Sequence, residues 1–170
     1  VAAAAEQGVP AMALLDRDGV YGASRFHMAA QKAGIRAHVG AEITCTDGTR
    51  YPLLAATRTG YQNLCRLITR TKLRARKGEG AALPAELAEF AGGLIAILPH
   101  PRVDADEMIR AFGKGNLYVE LQRHYSREEE VRNQRMAALA EQYGLPLIAT
   151  NGVAYATPDR REVCDALTCI

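Results

Sequence analysis

Short apolar runs recur along the chain. Each ends in polar or charged residues, and a stretch with helical spacing follows. The runs are 11–15 before Asp16, 37–41 before Glu42, 94–98 ahead of His100, 117–119 before Glu120, and 145–149 before Thr150 and Asn151. Strands that are apolar on both faces mark a parallel sheet, whose strands need helical crossovers between them. In such sheets and barrels, reactive side chains collect at the C-terminal strand ends. Asp16, Glu42, His100, His124 and Asn151 are therefore candidates for one shared rim, although they are far apart in sequence.

The same periodicity predicts helices over 1–7, 23–33, 61–75, 84–90, 104–112, 127–143 and 158–168. Gly8, Gly34, Gly113 and Gly144 follow helical stretches as C-terminal stops, Thr59, Asp104 and Ser126 precede them as N-caps, and Pro158 suits a first turn. Strands are predicted over 11–15, 37–43, 51–56, 94–98, 117–121 and 146–150. Asp47-Gly48 reads as a hairpin turn, so 51–56 is expected as a short antiparallel excursion. The other five strands are expected as parallel neighbours in one curved α/β sheet.

Composition narrows the class without naming a function. With 170 residues, 48% hydrophobic and 24% charged, the chain fits one domain with a real core. A net charge of +2 does not by itself argue for nucleic acid. The basic stretch with Arg70, Lys72, Arg74, Arg76 and Lys77 reads as an exposed helix end, with a secondary contact to a phosphate backbone as the alternative. Cys45, Cys65, Cys164 and Cys169 form neither a CxxC pair nor a zinc-ribbon spacing, and read as reduced thiols in a cytoplasmic protein. No apolar stretch reaches the ~20 residues of a membrane span. The first residue is Val1 and both ends fall inside helical patterns, which reads as an internal piece of a longer protein.

Several segments occur together in a recognisable order. They are Ala13-Leu14-Leu15-Asp16-Arg17-Asp18-Gly19-Val20-Tyr21-Gly22, Val39-Gly40-Ala41-Glu42, Gly60-Tyr61-Gln62-Asn63-Leu64-Cys65-Arg66-Leu67-Ile68-Thr69, Tyr118-Val119-Glu120-Leu121-Gln122-Arg123-His124 and Ala149-Thr150-Asn151. In combination they resemble the PHP (polymerase and histidinol phosphatase) domain of bacterial C-family DNA polymerase alpha subunits. The stretch 120–124, the run 127–133 and the ending 155–170 are most similar to the error-prone branch. The resemblance covers nearly the whole chain. It implies a partial, distorted (β/α)7 TIM-like barrel lacking its first strand, with 1–170 as one partial domain of a polymerase chain.

The resemblance also implies a rim that holds divalent metals for phosphoester hydrolysis in metal-competent members. Here the pattern departs from the family's. The opening His-x-His is absent, Thr-Asp-His becomes Leu15-Asp16-Arg17, and Asp-x-His becomes Gly152-Val153-Ala154. Arg17 carries five donors and no acceptor, so it cannot ligate a cation. Asp16, Glu42, His124 and His100 remain as a vestigial set able to hold at most one weak ion. Asp16 equally suits a turn cap or an ion pair, and Glu42 an ion pair with Arg17. The implied parent is a DNA polymerase of replication and damage repair that uses Mg and contacts DNA, other polymerase domains and mutagenesis or replication subunits. This region would be its scaffold. The rival readings are a PHP phosphoesterase and a purely structural or partner-binding barrel.

Overall fold

The computed structural model describes residues 1–76 and 78–169; Lys77 and Ile170 lie outside the described residues. The elements are α1 (Ala2–Glu6), β1 (Ala11–Arg17), α2 (Ala23–Ala33), β2 (Arg36–Thr44), β3 (Arg50–Ala55), α3 (Arg58–Arg74), α4 (Pro84–Phe90), β4 (Leu94–Leu98), α5 (Ala105–Phe112), β5 (Leu117–Leu121), α6 (Arg127–Tyr143), β6 (Leu147–Ala149) and α7 (Arg161–Thr168). All predicted elements are present; α2, α4, β4, β5 and α6 have the predicted bounds and the others have shifted ends. The last helix opens with a 3-10 turn at Pro158–Arg160 before α7 begins. Helix α3 starts three residues earlier than predicted. Its cap is Thr57, whose hydroxyl accepts from the Gly60 amide at 3.0 Å, and not Thr59.

The six strands of the described residues form one sheet in sequence order. Strand pairs β1–β2, β4–β5 and β5–β6 are parallel, whereas β3 runs antiparallel to both β2 and β4. The five strands predicted parallel therefore share a direction, but they are not all neighbours. The cause is the Asp47-Gly48 turn, where Gly48 adopts φ +83° and the Asp47 carboxylate accepts from the Thr49 amide at 2.8 Å. This tight hairpin lays β3 directly against β2, so β4 reaches the sheet only on the far side of β3.

Pairing register sorts the side chains. Ala41, Leu53, Ala96 and Leu117 lie in one cross-sheet row on the face covered by helices. That face meets α3–α6 in the core, where Leu53, Leu64, Leu67, Leu94, Leu98, Leu117, Val119 and Met136 are essentially inaccessible. Burying one such leucine contributes about 1.5–3 kcal/mol. The opposite, inner face carries Leu15, Leu54, Ile95, Tyr118 and Ile148, all half-buried.

One close approach locks α3 to the sheet. A Cβ on Gly60 would overlap the Gly93 carbonyl, and a Cβ on Gly93, itself at φ +77°, would overlap the Thr57 hydroxyl. Only glycine at both places lets the first turn of α3 rest on the entrance of β4.

Candidate functional site

The C-terminal strand ends gather polar residues as the pattern predicts, but hydrogen bonds within the chain hold most of them. At the end of β1, the Asp16 carboxylate accepts from the Gly22 amide at 2.7 Å. Asp16 pairs in register with Ala41 and so lies on the helix-covered face, whereas Arg17 pairs with Glu42 on the inner face. Asp16 and Glu42 thus project to opposite sides of the sheet. The ion pair Arg17 makes is to Asp18, at 3.9 Å. The Arg17–Glu42 ion pair, the alternative to a ligand role for Glu42, is therefore replaced by a pair between Arg17 and its chain neighbour.

Asp18 is the residue that sequence reasoning undervalued. It was legible as a turn residue before Gly19, and it adopts φ +49°. Its carboxylate accepts from the Thr44 amide at 2.7 Å and the Thr44 hydroxyl at 2.8 Å, and its amide donates to the Glu42 carbonyl at 2.9 Å. Asp18 therefore ties the end of β1 to the end of β2.

His100 follows β4 between two prolines. Its Nδ1 accepts from the Arg102 amide at 3.2 Å, a local turn contact. At the end of β5, Glu120 lies on the inner face opposite Ile148. One oxygen of Glu120 accepts from the Thr150 hydroxyl at 2.5 Å and from Gln122 Nε2 at 3.0 Å. This trio was visible in the sequence only as polar residues at strand ends; its mutual satisfaction depends on the β5–β6 register.

His124 has acceptors at both ring nitrogens. Nδ1 lies 2.6 Å from Glu129 Oε1, and Nε2 lies 3.0 Å from the Asn151 carbonyl. Only the imidazolium donates from both nitrogens at once. Glu129 also accepts from the His124 amide at 2.7 Å. The hydrogen bond to Glu129, followed by that to Asn151, raises the His124 pKa above its usual value; the same bond lowers that of Glu129.

A metal ligand set needs neutral imidazole lone pairs and carboxylate oxygens aimed at one point. Here the His124 nitrogens both face acceptors, Asp16 and Glu42 lie on opposite faces, and Arg17 stands beside Glu42. Among the described residues no three His, Cys, Asp or Glu side chains converge into a cation site. The residues present do not fit a metal cluster.

Three side chains of the basic stretch are likewise engaged, whereas Arg76 is exposed. Arg70 forms a two-pronged pair with Glu89, at 2.8 Å through Nη2, and its guanidinium lies 4.5 Å from the Phe90 ring centre. Arg74 grips Glu86 at 2.6 and 3.0 Å and donates to the Ala81 carbonyl at 2.8 Å. The Lys72 ammonium contacts the Tyr21 hydroxyl and lies 4.6 Å from its ring centre. Arg70 and Arg74 thus reach toward α4 and Lys72 toward the β1–α2 loop. Lys77 lies outside the described residues.

A helix-covered, mostly parallel sheet with its polar groups at the C-terminal strand ends defines a barrel-type α/β domain. Residues 1–124 match the PHP domain model, and the chain belongs to the PHP domain family. It is 35% identical over 201 residues to the error-prone DNA polymerase of Symbiobacterium thermophilum, covering 100% of this chain and 18% of that protein. It is 34% identical over 171 residues to the error-prone DNA polymerase of Pseudomonas aeruginosa, covering 99% of this chain and 17% of that protein. The chain thus spans less than a fifth of the length of these curated relatives. Among solved structures, an amidohydrolase from Chromobacterium violaceum with bound sulfate and no metal superposes with a TM-score of 0.56 at 17% identity, over 92% of this chain and 81% of that one. PsfC from Pseudomonas syringae superposes with a TM-score of 0.56 at 16% identity, over 88% and 64%. At such identities the structural likeness speaks for the fold alone.

Proposed function

We propose that this chain is the PHP region of an error-prone C-family DNA polymerase, where it serves as a scaffold with a reduced metal rim. The observation that carries the reading is identity of 34–35% across essentially the whole chain to proteins of that name. The parent's chemistry would be template-directed nucleotidyl transfer on DNA, with Mg held by carboxylates elsewhere in the polypeptide. In this reading residues 1–170 form part of a seven-stranded barrel. Asp16, Glu42, His100 and His124 are remnants of its metal rim, and Arg70, Lys72, Arg74, Arg76 and Lys77 supply at most a peripheral phosphate contact.

Hydrogen bonds across the rim support the scaffold role. Asp18 to Thr44, Glu120 to Thr150 and His124 to Asn151 join strand ends through the chain's own groups, and His124 to Glu129 ties the end of β5 to α6. The test is primer extension by the full-length natural protein. Template-dependent incorporation of deoxynucleotides is expected, and it should fall when a core residue such as Leu64 is replaced by Asp. A full-length protein that fails to extend primers but hydrolyses p-nitrophenyl phosphate would instead favour a phosphoesterase.

A further inference from the structure

Beside the rim, a groove of about 650 Å³ runs between the flank of α6 and the outer side of β6. Its walls are Glu130, Asn133, Gln134 and Ala137 on α6, and Leu121 and Ala149 on the strands. Two observations bear on what this surface lacks. Outside the groove's own lining but on the same outer face of β6, Leu147, in register with buried Val119, is 49% exposed. Asn133 is only 9% exposed; its amide nitrogen donates to the Gln122 carbonyl at 2.7 Å, yet its Oδ1 is buried without a donor. Buried acceptors are normally satisfied, and an orphan calls for an explanation.

The segment that follows β6 has the complementary defect. Helix α7 buries none of its residues. Val163 and Leu167, one turn apart on the same face, are 52% and 67% exposed. Arg161 and Asp165 pair at 3.6 Å on the other side of the helix. A helix that follows a parallel strand ordinarily packs back against the outer face of its own sheet. The eleven residues 150–160 span up to about 35 Å when extended, enough for α7 to turn back along β6.

We propose that α7 is a strap that closes onto this groove, laying Val163 and Leu167 over Leu147, Ala149 and Ala137. Closure also brings the Cys164 thiol, a potential donor, to the wall that holds Asn133; the Thr168 hydroxyl already donates to the Cys164 carbonyl at 2.7 Å. The open and closed positions of α7 would then govern how the C-terminal end of the domain joins whatever it supports. The inference does not depend on the polymerase reading.

The experiment uses the full-length natural protein with Ala137→Cys or Gln134→Cys, oxidised with diamide and mapped by peptide mass spectrometry. A disulfide from the new cysteine to native Cys164 within one chain is expected, and it disappears with Cys164→Ser. In parallel, Leu167→Asp is expected to speed hydrogen exchange of the α7 amides by about tenfold, because it removes protection that packing provides. Crosslinks found only between chains, or no crosslink from either position together with unchanged exchange in Leu167→Asp, overturn the proposal. Loss of primer extension with the strap intact would count against the polymerase reading alone.

Discussion

At the scale of single residues, two ion pairs carry different pH signatures. The Glu86 side chain is 8% exposed, and its bond to Arg74 holds its pKa below the usual 4.5. A depressed carboxylate contributes stability above its unfolded pKa, and that contribution is lost as pH falls through the lower folded value. Replacing Arg74 by Ala leaves a buried carboxylate without its partner, so urea denaturation at pH 7 should show a loss of about 1–3 kcal/mol. That difference should shrink below pH 4.5 as Glu86 protonates. A variant as stable as the parent at pH 7 would show the pair to be idle. His124 has the opposite sign. Its folded pKa is raised above 6.5, so its pairing is complete below pH 6.5 and is lost as pH rises through the raised value. Nitrogen NMR of His124 should find both ring nitrogens protonated at pH 6, and Glu129→Gln should move the titration down. Asp16, His124 and Glu42 were legible in the sequence as strand-end groups. Their directions were not, because the inner or outer choice depends on register, and a one-residue slip exchanges the faces.

At the scale of elements, local signals read well and contact-dependent ones did not. Ser126 and Asp104 cap their helices as predicted, with hydroxyl or carboxylate accepting from the third amide onward at 3.4 and 2.9 Å. Thr57 took the place expected of Thr59 because α3 must begin where Gly60 can rest on Gly93. That contact joins residues 33 positions apart, which no local pattern reports. Likewise the Asp47-Gly48 turn announced an antiparallel strand, yet its insertion between β2 and β4 is a property of the whole sheet. The Gly60–Gly93 contact makes a prediction at this scale. Gly60→Ala places a methyl group against backbone that cannot yield, and should cost about 1–3 kcal/mol in chemical denaturation. Gly115→Ala has nothing within 4 Å of the new methyl and should be close to neutral. Equal effects of the two substitutions would remove Gly60 from its role as the seat of α3.

At the scale of the whole molecule, the rim decides between a metalloenzyme ancestry kept and one set aside. Elemental analysis of the full-length protein, purified with Mn and Zn in the medium, should find fewer than two tightly held ions attributable to this region. Glu42→Ala should leave any phosphoesterase signal unchanged. Two or more tight ions, with hydrolysis lost in Glu42→Ala, would show that the hydrogen bonds of the rim yield to metal.

The sheet also has one finished side and one bare one. Helices α3–α6 cover the outer face, while Leu15, Leu54, Ile95, Tyr118 and Ile148 stay half-open on the inner face. A curved shell of this kind is an amphiphile on the scale of a domain, wetted on its convex side and oily within. Cut out as a 170-residue piece, it should behave like one, with a sedimentation coefficient that climbs with concentration and dye binding that falls as the pieces pair. A monomer with constant sedimentation over a hundredfold range of concentration would mean that the concave side keeps water out unaided.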